Sequence, residues 1–295
     1  MVIERPTDAR GEFTLLPVDS PRRIWLCADD YGISPAVNAA IRELLLGGRL
    51  NATSVMVVAP SWSRSEASLL LGLKAAGRLR AIGLHLTLTG PFRPLTASFK
   101  PLCGSSFRPL TDMILLSWLR RLDRAALGAE IAAQLAAFSA VFGATPDFLD
   151  GHQHVHLLPQ VRDEVVSAIK AAAPKAWIRQ CGSVRPFLDQ LNDRKGLLLS
   201  WFSGALRRKA KAQSVAVNPA FAGSYALRPD TDFARLFPHF LDRLPDGGLI
   251  MCHPGQVDDE LKKLDSLTAL RETEYRYFAS DAFVDLLRHR KVVLA

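Results

Sequence analysis

The chain has 295 residues, of which 48% are apolar and 22% charged, enough for a substantial core in one large α/β domain or two small ones and ordinary for a soluble protein. No apolar run approaches the length expected of a membrane span, and Met1 to Arg22 is polar and mixed in charge, unlike a secretory signal. The net charge of +8 is uneven, with nine Lys or Arg against Asp189 and Asp193 between Lys175 and Lys211; a basic coat for nucleic acid would be broader, and no nucleic-acid motif accompanies this one.

Residues 1–22 read as a tail and 23–295 as a single domain. Arg23 to Gly32 is an apolar run that reaches Asp29 and Asp30 before a glycine, which predicts a buried strand carrying both acids into a turn. Adjacent carboxylates repel unless a cation lies between them or one is protonated; an ordinary Asp-rich turn is the plain alternative. Ser34-Pro35 opens a helix to Leu46 that Gly47-Gly48 ends. A strand over 51–58 and a helix over 63–76 follow. In 81–89, Ile82, Leu84, Leu86 and Leu88 alternate with His85, Thr87 and Thr89, the pattern of a strand with two distinct faces. Residues 90–122 form a long irregular stretch, expected as a lid or substrate wall; Phe-Arg-Pro-Leu-Thr occurs in it twice, an echo too short to be a repeat.

An Ala-rich amphipathic helix over 125–142 leads to Phe148–His156, where Asp150, His152, His154 and His156 stand at spacing two. On an extended strand these four would share one face. Imidazoles are costly to bury without partners, and a divalent metal accepts several of them; the alternative is a solvated histidine cluster. Helices are expected over 161–173, 188–212, 232–244 and 265–290, and strands over 176–180, 214–218, 248–253 and 291–294. About seven β/α units with no run of hairpins predict a parallel sheet, and ligand-type residues at strand C-termini predict a TIM-like (β/α) barrel, irregular or incomplete. The four cysteines lack CxxC spacing, and Cys27 and Cys252 sit in apolar runs, so a reduced, cytoplasmic protein is expected.

Five segments together resemble the YdjC-like carbohydrate deacetylase family, which includes chitooligosaccharide deacetylases and hopanoid-biosynthesis-associated members. They are Ala28–Ser34 with Asn38, Asn51–Met56, Gly83–Thr87, Leu149–His156 with Pro159, and Met251–Gly255 with Asp258. Tyr31 stands where the family usually has Phe, and would add a hydroxyl near the acids. The resemblance implies a (β/α) barrel and a metal-dependent hydrolase that removes N-acetyl groups from an amino sugar, oligosaccharide or glycolipid. By position, Asp30, His85 and His152 would hold one divalent metal, and Asp29 would be the general base. His253, at another strand end, is the expected acid for the leaving amine. His154 and His156 are expected to orient ligands or contact substrate, and Arg271 and Glu274 to serve substrate or an internal ion pair. Histidine-rich ligation favours zinc or a similar transition metal, with magnesium open. The rival expectations are a metal-dependent hydrolase or isomerase of another small molecule, and a non-catalytic glycan-binding relative.

Residues 196–211 place Leu198, Trp201, Phe202, Ala205 and Leu206 on one helical side with cations at the C-terminal end. This predicts an outer barrel helix packed by its stripe, with a transient membrane-surface contact as the minority reading. A homo-oligomer is left open.

Overall fold

A computed structural model describes residues 20–100, 102–182, 194–226, 228 and 230–295. In chain order the elements are β1 (Arg22–Tyr31), α1 (Pro35–Leu46), β2 (Ala52–Val55), α2 (Arg64–Ala75), β3 (Ala81–Leu86), β4 (Leu102–Cys103), β5 (Ser106–Phe107), α3 (Leu110–Trp118), α4 (Arg124–Phe142), β6 (Phe148–Gly151), α5 (Val161–Ala172), β7 (Trp177–Ile178), α6 (Arg194–Ala212), β8 (Phe221–Ala222), α7 (Phe233–Leu241), β9 (Leu249–Cys252), α8 (Asp259–Leu264), α9 (Ala269–Ala279), α10 (Asp281–His289) and β10 (Val292–Leu294). The main sheet runs β7-β6-β3-β2-β1-β9-β8, with β10 added to β1, and every ladder in it is parallel. β2, β3, β6 and β9 are buried at every residue, as expected of strands covered on both faces.

The sheet curls into an incomplete TIM-like barrel. Its two edges meet through one short segment: Val217 makes an isolated parallel bridge to Ile178, and four residues later β8 joins β9. Asn218 secures this junction, accepting from the Gln180 N–H (2.7 Å) and donating to the carbonyls of Gln180 (3.1 Å) and Ala220 (2.9 Å). The Phe148 ring plugs the interior, stacked on Trp177 at 4.5 Å. It fits because residue 83 is glycine, where a Cβ would lie 2.3 Å from that ring.

Local signals placed most helices. Ser34 and Ser63 cap α1 and α2 by accepting from the backbone N–H three residues on. The stretch 90–122 is more ordered than its sequence predicts, holding the β4–β5 hairpin and α3. It is pinned from α4: the buried Glu130 carboxylate accepts from the backbone N–H groups of Leu95 (3.1 Å) and Thr96 (2.9 Å) and from the Thr96 hydroxyl (2.8 Å). α4 itself corrects the expectation that no segment is long and apolar enough to cross a bilayer, since an 18-residue window of this 19-residue helix has a mean hydropathy of 1.6. Glu130 and Gln134 are nonetheless fully buried, on the face that packs toward β3. The single helix expected over 265–290 is two, α9 and α10, meeting at Ser280.

β1 carries two neighbours on one edge, β10 along its first half and β2 along its second. Asn51 fills the step between them. Its side chain accepts from the Leu26 N–H (2.8 Å) and donates to the carbonyls of Ile24 (2.9 Å) and Ala295 (3.2 Å). Replacing Asn51 with Leu should therefore leave buried backbone groups without partners and cost about 2–3 kcal/mol. Chemical denaturation would measure it, and an unchanged midpoint would contradict the role given to Asn51.

Candidate metal and hydrolytic site

The β1–β2 ladder slips between Ala28, which faces Thr53, and Tyr31, which faces Val55, so β1 carries one residue more than its neighbour. Asp30 takes a left-handed conformation, φ 64°, at this bulge. In a regular strand Asp29 and Asp30 would point to opposite faces. The extra residue turns both carboxylates to the C-terminal mouth, where they line one cleft of about 240 Å³ with His85, His152, His154 and His253.

Asp30 Oδ1 lies 3.1 Å from His85 Nε2 and 3.0 Å from His152 Nδ1, and all three residues are buried. Atoms bound at about 2.0–2.2 Å to one small ion lie roughly 3.3 Å apart, so this spacing and donor set fit a divalent metal held by one carboxylate and two imidazoles. The far nitrogen of His85 is fixed: Nδ1 is 2.7 Å from Asp150 Oδ1 and 3.0 Å from the Ser54 hydroxyl. A carboxylate behind a ligating histidine sets its tautomer and ring plane. Burial works against charge on His85, but Asp150, helped by Asp30 and Asp29, outweighs it and lifts the imidazole to about 10. The pocket thus stabilises positive charge at this point. Burial would raise Asp30, yet Arg271 and His152 hold its carboxyl well below the usual carboxylate range. Arg271 reaches Asp30 Oδ2 at 2.5 Å and Asp265 at 2.6 Å.

Asp29 is oriented separately. Arg179 donates to both its oxygens, at 2.6 and 2.7 Å, and approaches the Cys27 sulfur at 3.1 Å and Asp150 Oδ2 at 2.5 Å. The grouping of Cys27, Asp29 and Asp150 also has ligand-type spacing, but the guanidinium stands among the three. Burial pushes the Cys27 thiol well up, which keeps it a poor ligand.

His253 follows β9 and joins the cleft wall. Its backbone N–H donates to Glu274 Oε2 (2.6 Å), and the Tyr225 hydroxyl donates to Glu274 Oε1 (2.6 Å). Burial holds His253 below the ordinary histidine value, opposed by Asp30 and Asp29. Gly223, another cleft residue, has φ 100°, and a Cβ there would lie 2.1 Å from the Met251 carbonyl oxygen, so glycine lets this wall approach β9.

Asp29, Asp30, His85, His152 and His253 thus come together, and the expected single face from Asp150 to His156 does not form. β6 stops at Gly151, and a 3-10 turn over His152–Leu157 follows, with Gln153 and His154 left-handed. The turn leaves His154 on the cleft, its Nδ1 3.6 Å from Cys181 Sγ. It buries His156, whose Nε2 donates to the Arg179 carbonyl (2.8 Å) and which burial lowers to about 4; His156 is a neutral prop behind Arg179. Tyr31 also departs from expectation. Its hydroxyl bonds Glu66 and accepts from Arg42 (3.0 Å), under α1 and α2 and turned from the acids. Asp150 holds a histidine in place of lying in line with it, and Arg179 was not singled out at all. The available signal for Arg179 was an arginine inside Ala176–Gln180, since a charge in a buried strand needs a buried partner.

The chain matches the family model described as YdjC-like protein over residues 23–289. A chitooligosaccharide deacetylase of Yersinia pestis (strain Pestoides F) is 27% identical over 242 residues, 79% of this chain and 82% of that protein. A putative cellobiose-phosphate cleavage protein from Enterococcus faecalis V583 superposes with a TM-score of 0.69 at 20% identity, covering 94% of this chain and 97% of that one. A lactam utilization protein from Thermus thermophilus gives 0.53 at 15% identity over 92% and 98%; these two likenesses concern the fold. With the family model spanning the barrel from β1 to the end of α10, this chain belongs to the YdjC-like protein family.

Proposed function

We propose that the protein is a metal-dependent carbohydrate N-deacetylase acting on an acetylated amino sugar, oligosaccharide or glycolipid. The observation that carries the reading is the pair of adjacent acids held in different ways: Asp30 shares one oxygen with two imidazoles, whereas Asp29 is gripped by Arg179 beside them. The chitooligosaccharide deacetylase relative supports the substrate class. Asp30, His85 and His152 would hold the ion, with zinc or a similar transition metal suited to this donor set and magnesium the alternative. When bound, such an ion polarises an amide carbonyl and makes a water acidic near neutral pH.

The chain's own residues complete the reaction. Asp29 takes the proton of the attacking water, its carboxylate aimed by the two Arg179 hydrogen bonds. His253, at the end of the neighbouring strand β9, delivers a proton to the departing amine; burial favours its neutral imidazole, so it first takes up that proton, and the one Asp29 draws from the water balances the step. Glu274 and Tyr225 position His253 through its backbone N–H. Arg271 acts on Asp30 and Asp265, and His154 remains in reach of substrate on the cleft wall. Four free cysteines, three of them buried, are in keeping with a reducing, cytoplasmic setting.

Asp29→Asn should abolish acetate release from N-acetylated chitooligosaccharides while metal content, measured by elemental analysis, stays at wild-type level. Asp30→Asn, His85→Ala and His152→Ala should lose metal and rate together. The opposite pattern for the two aspartates would reverse their roles, and full activity after chelation would end the metal reading. His253→Ala should slow an N-acetyl substrate by on the order of 10²–10⁴-fold and an activated acetate ester far less, because a good leaving group needs no proton. Equal losses on both would assign His253 to positioning.

Glu274 yields a stability test. Burial outweighs its hydrogen bonds and lifts its carboxyl from 4.5 to about 7. The folded protein therefore binds this proton more tightly than the unfolded chain, so the contribution is fully present below pH 4.5 and is lost as pH rises through about 7. Glu274→Gln cannot titrate, so its melting temperature should rise relative to wild type across that window. A constant difference between the two would contradict the assignment.

A further inference from the structure

We propose that the seam between α3 and α6 is a docking surface for an anionic lipid membrane. The stripe expected on 196–211 is divided in the structure. Phe202, Ser203, Leu206 and Ala210 are buried against the barrel, so the packing role holds for that face. Leu198 and Trp201 lie outside it, and Trp201 is 54% exposed. Its ring sits 5.4 Å from that of Trp118, also 54% exposed, at the end of α3. Leu115 and Leu119 share the α3 face with Trp118 and are exposed as well. Among the described residues, five of the ten exposed large apolar side chains belong to this seam. That concentration distinguishes a patch from the scattered surface leucines of any soluble protein.

The charge around the patch selects the partner. α6 has six cations and no acidic residue. Arg208, two turns beyond Trp201 on the same side of the helix, is exposed, as are Arg120 and Arg121 just after Trp118. Burial lowers Arg162 and Asp163 opposes it, while the charges of Arg208 and Arg120 lower it further, so these three cations, from α5, α6 and the end of α3, feel one another's charge. A second copy docking by this same face would present the same cations to it and be repelled. Single-stranded nucleic acid could use the tryptophans and arginines, but Leu115, Leu119 and Leu198 offer it no stacking face. Indole and leucine side chains bordered by cations match the apolar boundary and anionic headgroups of a bilayer. α3 links this surface to the cleft, since Leu110 at its first turn lines the cavity and the nine-residue helix is about 13 Å long.

Co-sedimentation of the full chain with phosphatidylglycerol and phosphatidylcholine vesicles tests this without any turnover, so its outcome is independent of the deacetylase reading. Binding should be at least about tenfold stronger to phosphatidylglycerol, weaken in high salt, and be accompanied by a blue shift of tryptophan emission. Trp118→Ser with Trp201→Ser should lower binding about tenfold or more. Arg120→Ser with Arg208→Ser should flatten the salt dependence. Circular dichroism melting identifies any variant that fails to fold, and the emission shift on the unaltered chain stands regardless. The proposal is overturned by no binding to phosphatidylglycerol vesicles, by equal binding of the folded tryptophan variant, by a tryptophan variant that changes only the oligomeric state, or by single-stranded RNA displacing the vesicles from this face.

Discussion

One extra residue in β1 is the constraint on which the site depends. Without the bulge between Ala28 and Tyr31, Asp29 and Asp30 would lie on opposite sides of the sheet. With it they share a cleft, which creates an electrostatic problem: two adjacent carboxylates and a third, Asp150, in a buried space. Two buried arginines answer it, Arg179 between Asp29 and Asp150 and Arg271 on Asp30. Backbone in the left-handed region costs about 1–3 kcal/mol for a residue other than glycine. That strain is held by the strand ladders on both sides of β1.

The arginines also divide the labour between the acids. Arg179 fixes Asp29 on both oxygens and so leaves it one orientation, whereas Arg271 occupies only the outer oxygen of Asp30 and leaves the inner one to the imidazoles. Supports lie behind each partner: His156 under the Arg179 backbone, Asp265 and the Leu267 carbonyl around Arg271, Asp150 and Ser54 behind His85. Groups held this way reorganise little when charge moves, which is the condition for electrostatic stabilisation inside a cleft.

Much of this was legible in the sequence, for identifiable reasons. Serine caps, proline at a first turn and apolar runs ending in ligand-type residues are local signals, and they located α1, α2, β1, β3 and β9 to within a few residues. The turn after Gly151 was not legible, because spacing-two histidines fit an extended strand and nothing nearby announces left-handed Gln153 and His154. Tyr31 was misplaced for a related cause: the bulge that gathers the acids turns the next side chain toward Glu66 and Arg42. Arg179 hid in a basic stretch, where its charge looked like one surface cation among many. The stripe on α6 was real in composition, but the helix buries Phe202 and leaves its neighbour Trp201 outside, and a wheel drawn from sequence cannot fix how the helix is rotated against the barrel.

The polar centre is also the least local part of the molecule. Asp29 and Arg179 are 150 positions apart, and Asp30 and Arg271 are 241, whereas β2 and β3 neighbour each other in the chain as well as in the sheet. Closing a long loop costs entropy before its contacts repay it. Burying the acids of β1 without those guanidiniums would leave carboxylates unpaired in the interior, so their burial is tied to closing these two long loops. The cleft is the place where the native topology is checked: a chain that has paired its strands in the wrong order strands its carboxylates without counter-charges, and such a misfold is penalised at the residues that the chemistry needs.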